Sequence, residues 1–266
     1  MESLRRWVRD AIGYRSVLYR LAAYCLDVFH VLKREGLRGL VILRMAKTKG
    51  PDVWLQLRCL KFPFLVRRGS DDIGSVVNNV LREEYGQMPT TFDPKVIVDA
   101  GAYVGDTSAY FLSRFPLAQV IALEPNDESY ARASLNLAPY GSRVELLKRA
   151  LWDSETMVRM SGEQTGSSIS ANGAEVQTET IPALMDRLGF QRIDLLKMDI
   201  EGAEATVLPS GRGGWLRKVR MILLETHGAE IERQVLPLLA AEGFSCKRHR
   251  NVWYCRSDER NGTSAP

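Results

Sequence analysis

Hydrophobic residues change their spacing twice along the 266-residue chain. From Leu4 to Leu32 the apolar positions Leu4, Val8, Tyr14, Leu18, Leu21, Cys25, Val28 and Leu32 recur at helical spacing, with Arg5, Arg9, Arg15 and Arg20 between them. This pattern predicts one or two amphipathic helices. The stretch VWLQLRCLKFPFLVRRGSDD predicts two short strands ending in a turn, and IGSVVNNVLREEYG a helix closed at Gly86. After Pro94 strands and helices alternate: VIVDAG, a helix from Asp106, VIALEP, a helix from Asp127 to Leu137, then VELLKRAL. A polar stretch from Ser161 to Gly173, rich in Gly and Ser, interrupts the alternation and predicts a functional loop. The segment IDLLKMDIEG, a helix from Ala203, the segment MILLETHG and a helix from Glu230 to Ala241 resume it. FSCKRHR and VWYCRS then read as a closing antiparallel hairpin, and DERNGTSAP as a frayed tail.

Apolar strands alternating with helices imply an α/β fold with a mostly parallel sheet covered on both faces. The chain divides by pattern into a basic helical arm over 1–50, lead-in strands and a helix over 51–94, an α/β body over 95–258 and a tail over 259–266. Charge sharpens that division. The net charge is +4, yet residues 1–50 carry eleven Lys and Arg against four Asp and Glu, which leaves −3 for the rest. A slightly acidic body without aromatics interleaved among arginines argues against a nucleic-acid groove. The arm fits a helix docked on its own domain, the favoured reading, or peripheral attachment to an anionic membrane. No segment has the form of a signal peptide or reaches the length of a membrane span, so a cytoplasmic protein is expected. The cysteines Cys25, Cys59, Cys246 and Cys255 form no C-x-x-C pair and are expected to be free thiols.

Candidate chemistry centres on VIVDAGAYVGDTSAYF, from Val96 to Phe111. In a parallel sheet, ligands settle beyond the carboxyl ends of the strands, where Asp99 through Asp106 lies. Gly101 and Gly105 permit a sharp turn and let backbone N–H groups approach a ligand closely. The spacing is G-x-x-x-G rather than the G-x-G-x-x-G of dinucleotide folds, and Asp99 would repel a pyrophosphate. Glu124 ends the next strand, 23 residues after Gly101, where a carboxylate can accept both hydroxyls of a ribose. A nucleoside with a cationic tail satisfies both features, which describes S-adenosylmethionine. Its expected contacts are Asp99, Gly101, Ala102, Tyr103, Gly105 and Asp106 in the turn, Glu124, Pro125 and Asn126 after the second strand, and Asp199. Trp152 and Asp153, after the third strand, would offer adenine an apolar face and an acceptor.

The segments VIVDAGAYVGDTSAYF, VIALEPNDESYARASLNL, RALWD, TGSSIS, IDLLKMDIEGAEATVLPSG and ILLETHG resemble FkbM-type S-adenosylmethionine-dependent methyltransferases. The resemblance covers about two-thirds of the chain, in order, and RRGSDD upstream resembles the family's lead-in strand and turn. It implies a Rossmann-like class I methyltransferase fold: a seven-stranded, mostly parallel sheet whose C-terminal hairpin supplies the reversed strand. It also implies transfer of a methyl group to a hydroxyl oxygen.

Methyl transfer from a sulfonium to oxygen is an in-line displacement, so the protein must align donor and acceptor and help remove the hydroxyl proton. The candidate catalytic residues are Asp199 and Glu201 in KMDIEGAE, and Glu225 and His227 in LLETHG. Asp199 follows an apolar run and should face the methyl donor, while Glu201 and Glu204 also suit the first turn of a helix. Glu225 and His227 share a facing along an extended segment, so both could reach one acceptor. The same four groups could collect a divalent cation such as magnesium, but their spacing is specific to no metal, and a metal-free mechanism is preferred. The expected acceptor is a hydroxyl of a sugar, glycolipid or secondary metabolite. A methyltransferase of the same fold acting on RNA or another acceptor, and a non-catalytic nucleoside-binding module, are the alternatives. The oligomeric state is not written in the sequence.

Overall fold

Five mainly apolar runs become parallel strands, four of them largely buried and the fifth, at the sheet edge, half-buried. They are β3 (Val96–Ala100), β4 (Gln119–Leu123), β5 (Val144–Leu147), β10 (Ile193–Met198) and β11 (Val219–Glu225). In the computed structural model of the chain, residues 17–161, 168–169 and 173–257 are described. All six residues of β10 are buried, so IDLLKM shows no apolar–polar alternation, and its two charged residues, Asp194 and Lys197, are both paired inside. The terminal hairpin, β12 (Phe244–His249) and β13 (Val252–Ser257), completes the sheet in the order β12-β13-β11-β10-β3-β4-β5. β13 lies antiparallel to β11 and supplies the reversed strand. The sequence expectation of a seven-stranded, mostly parallel sheet holds.

Strand order reverses beside β3: β4 and β5 continue on one side, β10 and β11 on the other. A crevice therefore opens beyond the carboxyl ends of β3 and β10. Helices close the faces. They include α4 (Asp106–Arg114), α5 (Asp127–Leu137), α6 (Ile181–Leu188), α7 (Glu204–Ser210) and α8 (Ala229–Ala241). On one face Leu184, Met185, Leu208, Val235 and Leu239 pack against Val98, Leu196, Met198, Ile222 and Leu224. At the opposite end of the strands Asp194 accepts from the backbone N–H groups of Lys95 (2.8 Å) and Val96 (3.1 Å), which registers β10 against β3.

The structure departs from the pattern in four places. VELLKRAL is not one strand. β5 ends at Leu147, and Ala150–Leu151 (β6) joins a separate four-stranded sheet with Met157–Ser161 (β7), Ser168–Ile169 (β8) and Ala174–Glu179 (β9). The predicted loop from Ser161 to Gly173 is therefore flanked and entered by strands, and its residues 162–167 and 170–172 lie outside the described part, as do residues 1–16 and the tail from 258. IGSVVNNVLREEYG does not run as a helix to Gly86: a short helix, Asp72–Ser75 (α3), passes into a π-helical turn over Val76–Leu81. The expectation of four free thiols is corrected as well. The antiparallel register makes Cys246 and Cys255 direct partners across the hairpin, where they form a disulfide, while Cys25 and Cys59 are free.

The chain forms two compact units, Met1–Gly86 and Gln87–Pro266. In the first, α1 (Val17–Glu35) and α2 (Arg38–Met45) approach so closely that a Cβ on Gly39 would stand 2.2 Å from Val31 Cγ1. β1 (Val53–Leu55) and β2 (Phe64–Val66) pair antiparallel. Asp72, fully buried, accepts from the Arg67 backbone and guanidinium and fixes the turn after β2. Asp27 and Glu35 of α1 meet Arg82 (2.8 Å) and the Arg58 N–H (2.9 Å). No described helix is long and apolar enough to cross a membrane.

Candidate active site

Asp99 to Asp106 lies beyond the carboxyl end of β3, beside the reversal of strand order. Gly101, Tyr103 and Gly105 all have positive φ (82°, 50° and 86°), a zigzag that only glycine adopts freely. The reason for Gly101 differs from the one expected. A Cβ there would lie 1.9 Å from the Asp199 carbonyl oxygen, so the missing side chain admits the end of β10 rather than a ligand. A Cβ on Gly105 would meet Leu137 at 3.0 Å, at the end of α5. The N–H groups of Gly101 and Ala102 both donate to Leu123 O (3.0 and 2.9 Å), and that of Gly105 to Ala102 O (2.8 Å). Asn136 clamps the turn from α5 by donating to Val104 O. The turn thus secures its own shape and leaves its floor rigid.

Glu124 directly follows the last residue of β4, one position beyond the expected strand end, and is almost fully buried. Its Oε2 accepts from the Tyr103 N–H and its Oε1 from the Asn126 N–H, both at 2.8 Å. Each carboxylate oxygen keeps a second lone pair for a ligand hydroxyl. Burial pushes the carboxyl up to about 7, against the opposing pull of those two N–H groups. Asn126 in turn caps α5, accepting from Glu128 and Ser129 N–H groups at 3.0 Å each. Pro125, half-buried, links the two residues.

Between β3 and the next residues of β10 sits a group that pattern reading passed over. Lys197 is buried and its Nζ stands 3.1 Å from Asp99 and 3.9 Å from Asp199, while donating to Gly101 O at 2.5 Å. Burial would lower its pKa, but Asp99 and then Asp199 outweigh burial and raise it, so the ammonium stays charged. Asp99, fully buried, also accepts from Ser108 Oγ at 2.6 Å. The signal was a lysine inside the apolar run LLKM, which is expensive unless paired. Asp106 opens α4 and is buried too.

Asp199, Glu201 and His227 converge beyond β10 and β11, each half-buried, with one ligand-type atom apiece within 4.8 Å of the others. His227 Nε2 lies 3.4 Å from Asp199 and 3.3 Å from Glu201. Nδ1 lies 3.0 Å from Glu204 Oε1, and because an ionised carboxylate only accepts, the imidazole donates there. Glu204, the first residue of α7, is wholly buried, so its role is more than a favourable charge at a helix start. Burial opposes charge on His227, but the Glu204 hydrogen bond and the charges of Asp199, Glu204 and Glu201 prevail and push it up to about 9. At neutral pH the ring is a charged donor. Burial first, and then Asp199 and Glu204, raise the Glu201 carboxyl against the pull of His227. Glu201 also holds a positive φ of 51°.

The structure therefore gathers three of the four expected catalytic residues. Glu225, half-buried, ends β11 opposite Val252 and is not one of the three. The strand ends at Glu225, so its side-chain alternation does not extend to His227. Trp152 packs partly against the core and donates its backbone N–H to Glu179 O, and Asp153 is exposed and accepts from Ser154.

Comparison with known proteins adds a family to this geometry. Residues 99–250 match the methyltransferase FkbM domain. Methyltransferase sdnD of Sordaria araneosa is 31% identical over 198 residues, covering 59% of this chain and 76% of that protein. The 2-O-methyltransferase NoeI of Sinorhizobium fredii is 28% identical over 171 residues, covering 56% and 69%. AMB antimetabolite synthetase AmbE of Pseudomonas aeruginosa is 31% identical over 176 residues, half of this chain but only 8% of AmbE's length. The matched span runs from Asp99 at the head of the glycine turn past His227 and takes in both halves of the crevice, so the chain belongs to the FkbM family of S-adenosylmethionine-dependent methyltransferases.

Proposed function

We propose that the chain transfers the methyl group of S-adenosylmethionine to a hydroxyl oxygen of a small molecule or glycan. One observation carries the reading: Asp199 belongs to both halves of the crevice. Its backbone closes on the glycine turn, donating to Ala100 O at 3.1 Å, while its carboxylate meets His227. A donor seated on the turn would put its methyl beside the cluster. In this reading Glu124 receives the ribose hydroxyls with its spare lone pairs, and Asp99, Gly101, Ala102, Tyr103, Gly105, Asp106, Pro125 and Asn126 line the rest of the donor seat. Trp152 and Asp153 face adenine.

The sulfonium already activates the methyl group, so the remaining barrier is the weak nucleophilicity of a neutral hydroxyl. The cluster assists loss of that proton as the C–O bond forms, a contribution of roughly 10²- to 10⁴-fold. Glu225 borders the acceptor from the end of β11. The relationship to NoeI, a 2-O-methyltransferase, supports oxygen as the atom methylated. The test is incubation with labelled donor and a panel of glycosides, glycolipids and hydroxylated metabolites, beside amine, thiol and RNA acceptors. Label recovered as a methyl ether is the expected result. Label on nitrogen, sulfur, carbon or RNA overturns the choice of oxygen.

A further inference from the structure

We propose that Asp199, Glu201 and His227 bind one divalent cation of the magnesium or manganese class, oriented by the buried carboxylate of Glu204. The inference rests on the hydroxyl-methylation reading for its role, and on the cluster alone for its existence. Two carboxylates and one imidazole beyond adjoining strands form a three-point set, three short of the octahedral complement of a magnesium-class ion. Ligand atoms sharing a cation at about 2.1 Å stand about 3 Å apart. The 3.4 and 3.3 Å separations of His227 Nε2 from Asp199 and Glu201 fall within a few tenths of an ångström of that.

The independent observation is Glu204. It is fully buried, and its Oε1 accepts from the Ile200 N–H at 3.2 Å and holds His227 through Nδ1 at 3.0 Å. Its second oxygen, Oε2, is buried with no hydrogen-bond partner among the described residues. A metal-binding histidine commonly gives its other ring N–H to such a carboxylate, which fixes the tautomer and aims the free nitrogen at the metal. Charge supports the same assignment. Among the described ion pairs, Asp99, Asp199, Glu201 and Glu204 form one network with Lys197 and His227, four carboxylates with two basic side chains. A divalent cation offsets that excess.

Bound there, the cation would hold the acceptor oxygen and stabilise its alkoxide. The hydroxyl proton leaves to solvent, an oxygen lone pair forms the bond to the methyl carbon, and the carbon–sulfur pair returns to sulfur, giving a neutral thioether. Magnesium or manganese undergoes no redox change in this step.

Manganese(II) alone is the probe, added to chelator-stripped full-length protein and followed by the loss of the free-ion paramagnetic resonance signal and by calorimetry. One ion per chain is expected. Asp199→Asn and Glu201→Gln should each weaken binding at least about 100-fold. Glu204→Gln, which removes no metal-touching atom, should weaken it about 10- to 100-fold, with Glu204→Asp recovering part of the loss. Donor affinity and melting temperature establish that each variant is folded, and the more exposed Glu201 serves if Asp199→Asn unfolds. No uptake by the parent chain at about 1 mM manganese overturns the proposal, as does unchanged uptake in folded Glu201→Gln. A chain that binds manganese yet methylates no hydroxyl sinks only the function proposed above, whereas hydroxyl methylation that persists after exhaustive chelation sinks the catalytic cation.

Discussion

The turn after β3 and the cluster after β10 and β11 are neighbours built in opposite ways. In the turn, polar groups are matched by backbone: Glu124 takes one N–H on each oxygen, and the N–H groups of Gly101, Ala102 and Gly105 end on carbonyls. In the cluster, side chains face side chains, and three carboxylates surround one imidazole. The first arrangement meets its hydrogen-bonding needs within the protein. The second is electrostatically lopsided, with carboxylates in excess. Rigidity on the donor side and responsiveness on the acceptor side suit a reaction in which the donor is already activated and the acceptor is not.

The sharpest way to break the contrast is at Gly101. Gly101→Ala places a carbon against the Asp199 carbonyl and should destabilise the fold by about 4 kcal/mol or more, read from urea unfolding, with donor binding lost in parallel. A mild loss would mean that the turn is not the rigid half. Next is His227→Asn, which should lower turnover about 100-fold or more while changing donor affinity less than about tenfold, since the proposal puts the residue on the acceptor side. Equal losses in both would erase the division of labour.

Glu124 sharpens the comparison through pH. Its pKa in the folded chain is about 7 against an ordinary 4.5, so between those values the folded state holds a proton that the unfolded state has released. Stability should therefore fall as pH rises from about 4.5 to about 7, by up to about 3 kcal/mol, and level off above. Donor affinity should move the other way, rising as the carboxylate forms. Glu124→Gln should flatten both trends and weaken donor binding by about 10- to 100-fold at pH 8, checked by thermal melts and calorimetry across the range. The smallest effect belongs to Asn126→Ala, where loss of the α5 cap should cost about 1 kcal/mol and leave turnover nearly intact. A turnover loss well beyond the loss of folded protein would place Asn126 in the chemistry instead.

The parallel strands β3, β4, β10 and β11 were legible because they are largely buried and mainly apolar, and α5 because a capping Asn precedes its periodic stretch. The small sheet was not. β9 reads AEVQTE and is exposed along its first half, so it carries no apolar signal, and β6 and β8 are only two residues long. On the acceptor side Asp199, Glu201 and His227 could be named from their places at strand ends. Glu204 could not be separated from an ordinary helix-start acid, because burial depends on packing rather than on neighbours in sequence. The Cys246–Cys255 pairing was hidden for a related reason: a gap of nine residues becomes a contact only once the hairpin register is known.

Lys197 gives the crevice a chemical clock. Its amine is enclosed by Asp99, Asp199 and the Gly101 carbonyl, where an acylating reagent has no approach and where charge removes its nucleophilicity. Acylation at this position can advance only while β3 and β10 part at their carboxyl ends, so its rate counts openings that leave the rest of the sheet paired. Exposed Lys95, at the far end of the same strands, reacts without any opening and supplies the reference rate. The ratio of the two would report how often the floor beneath the donor comes apart, and how far an occupant of the crevice slows it.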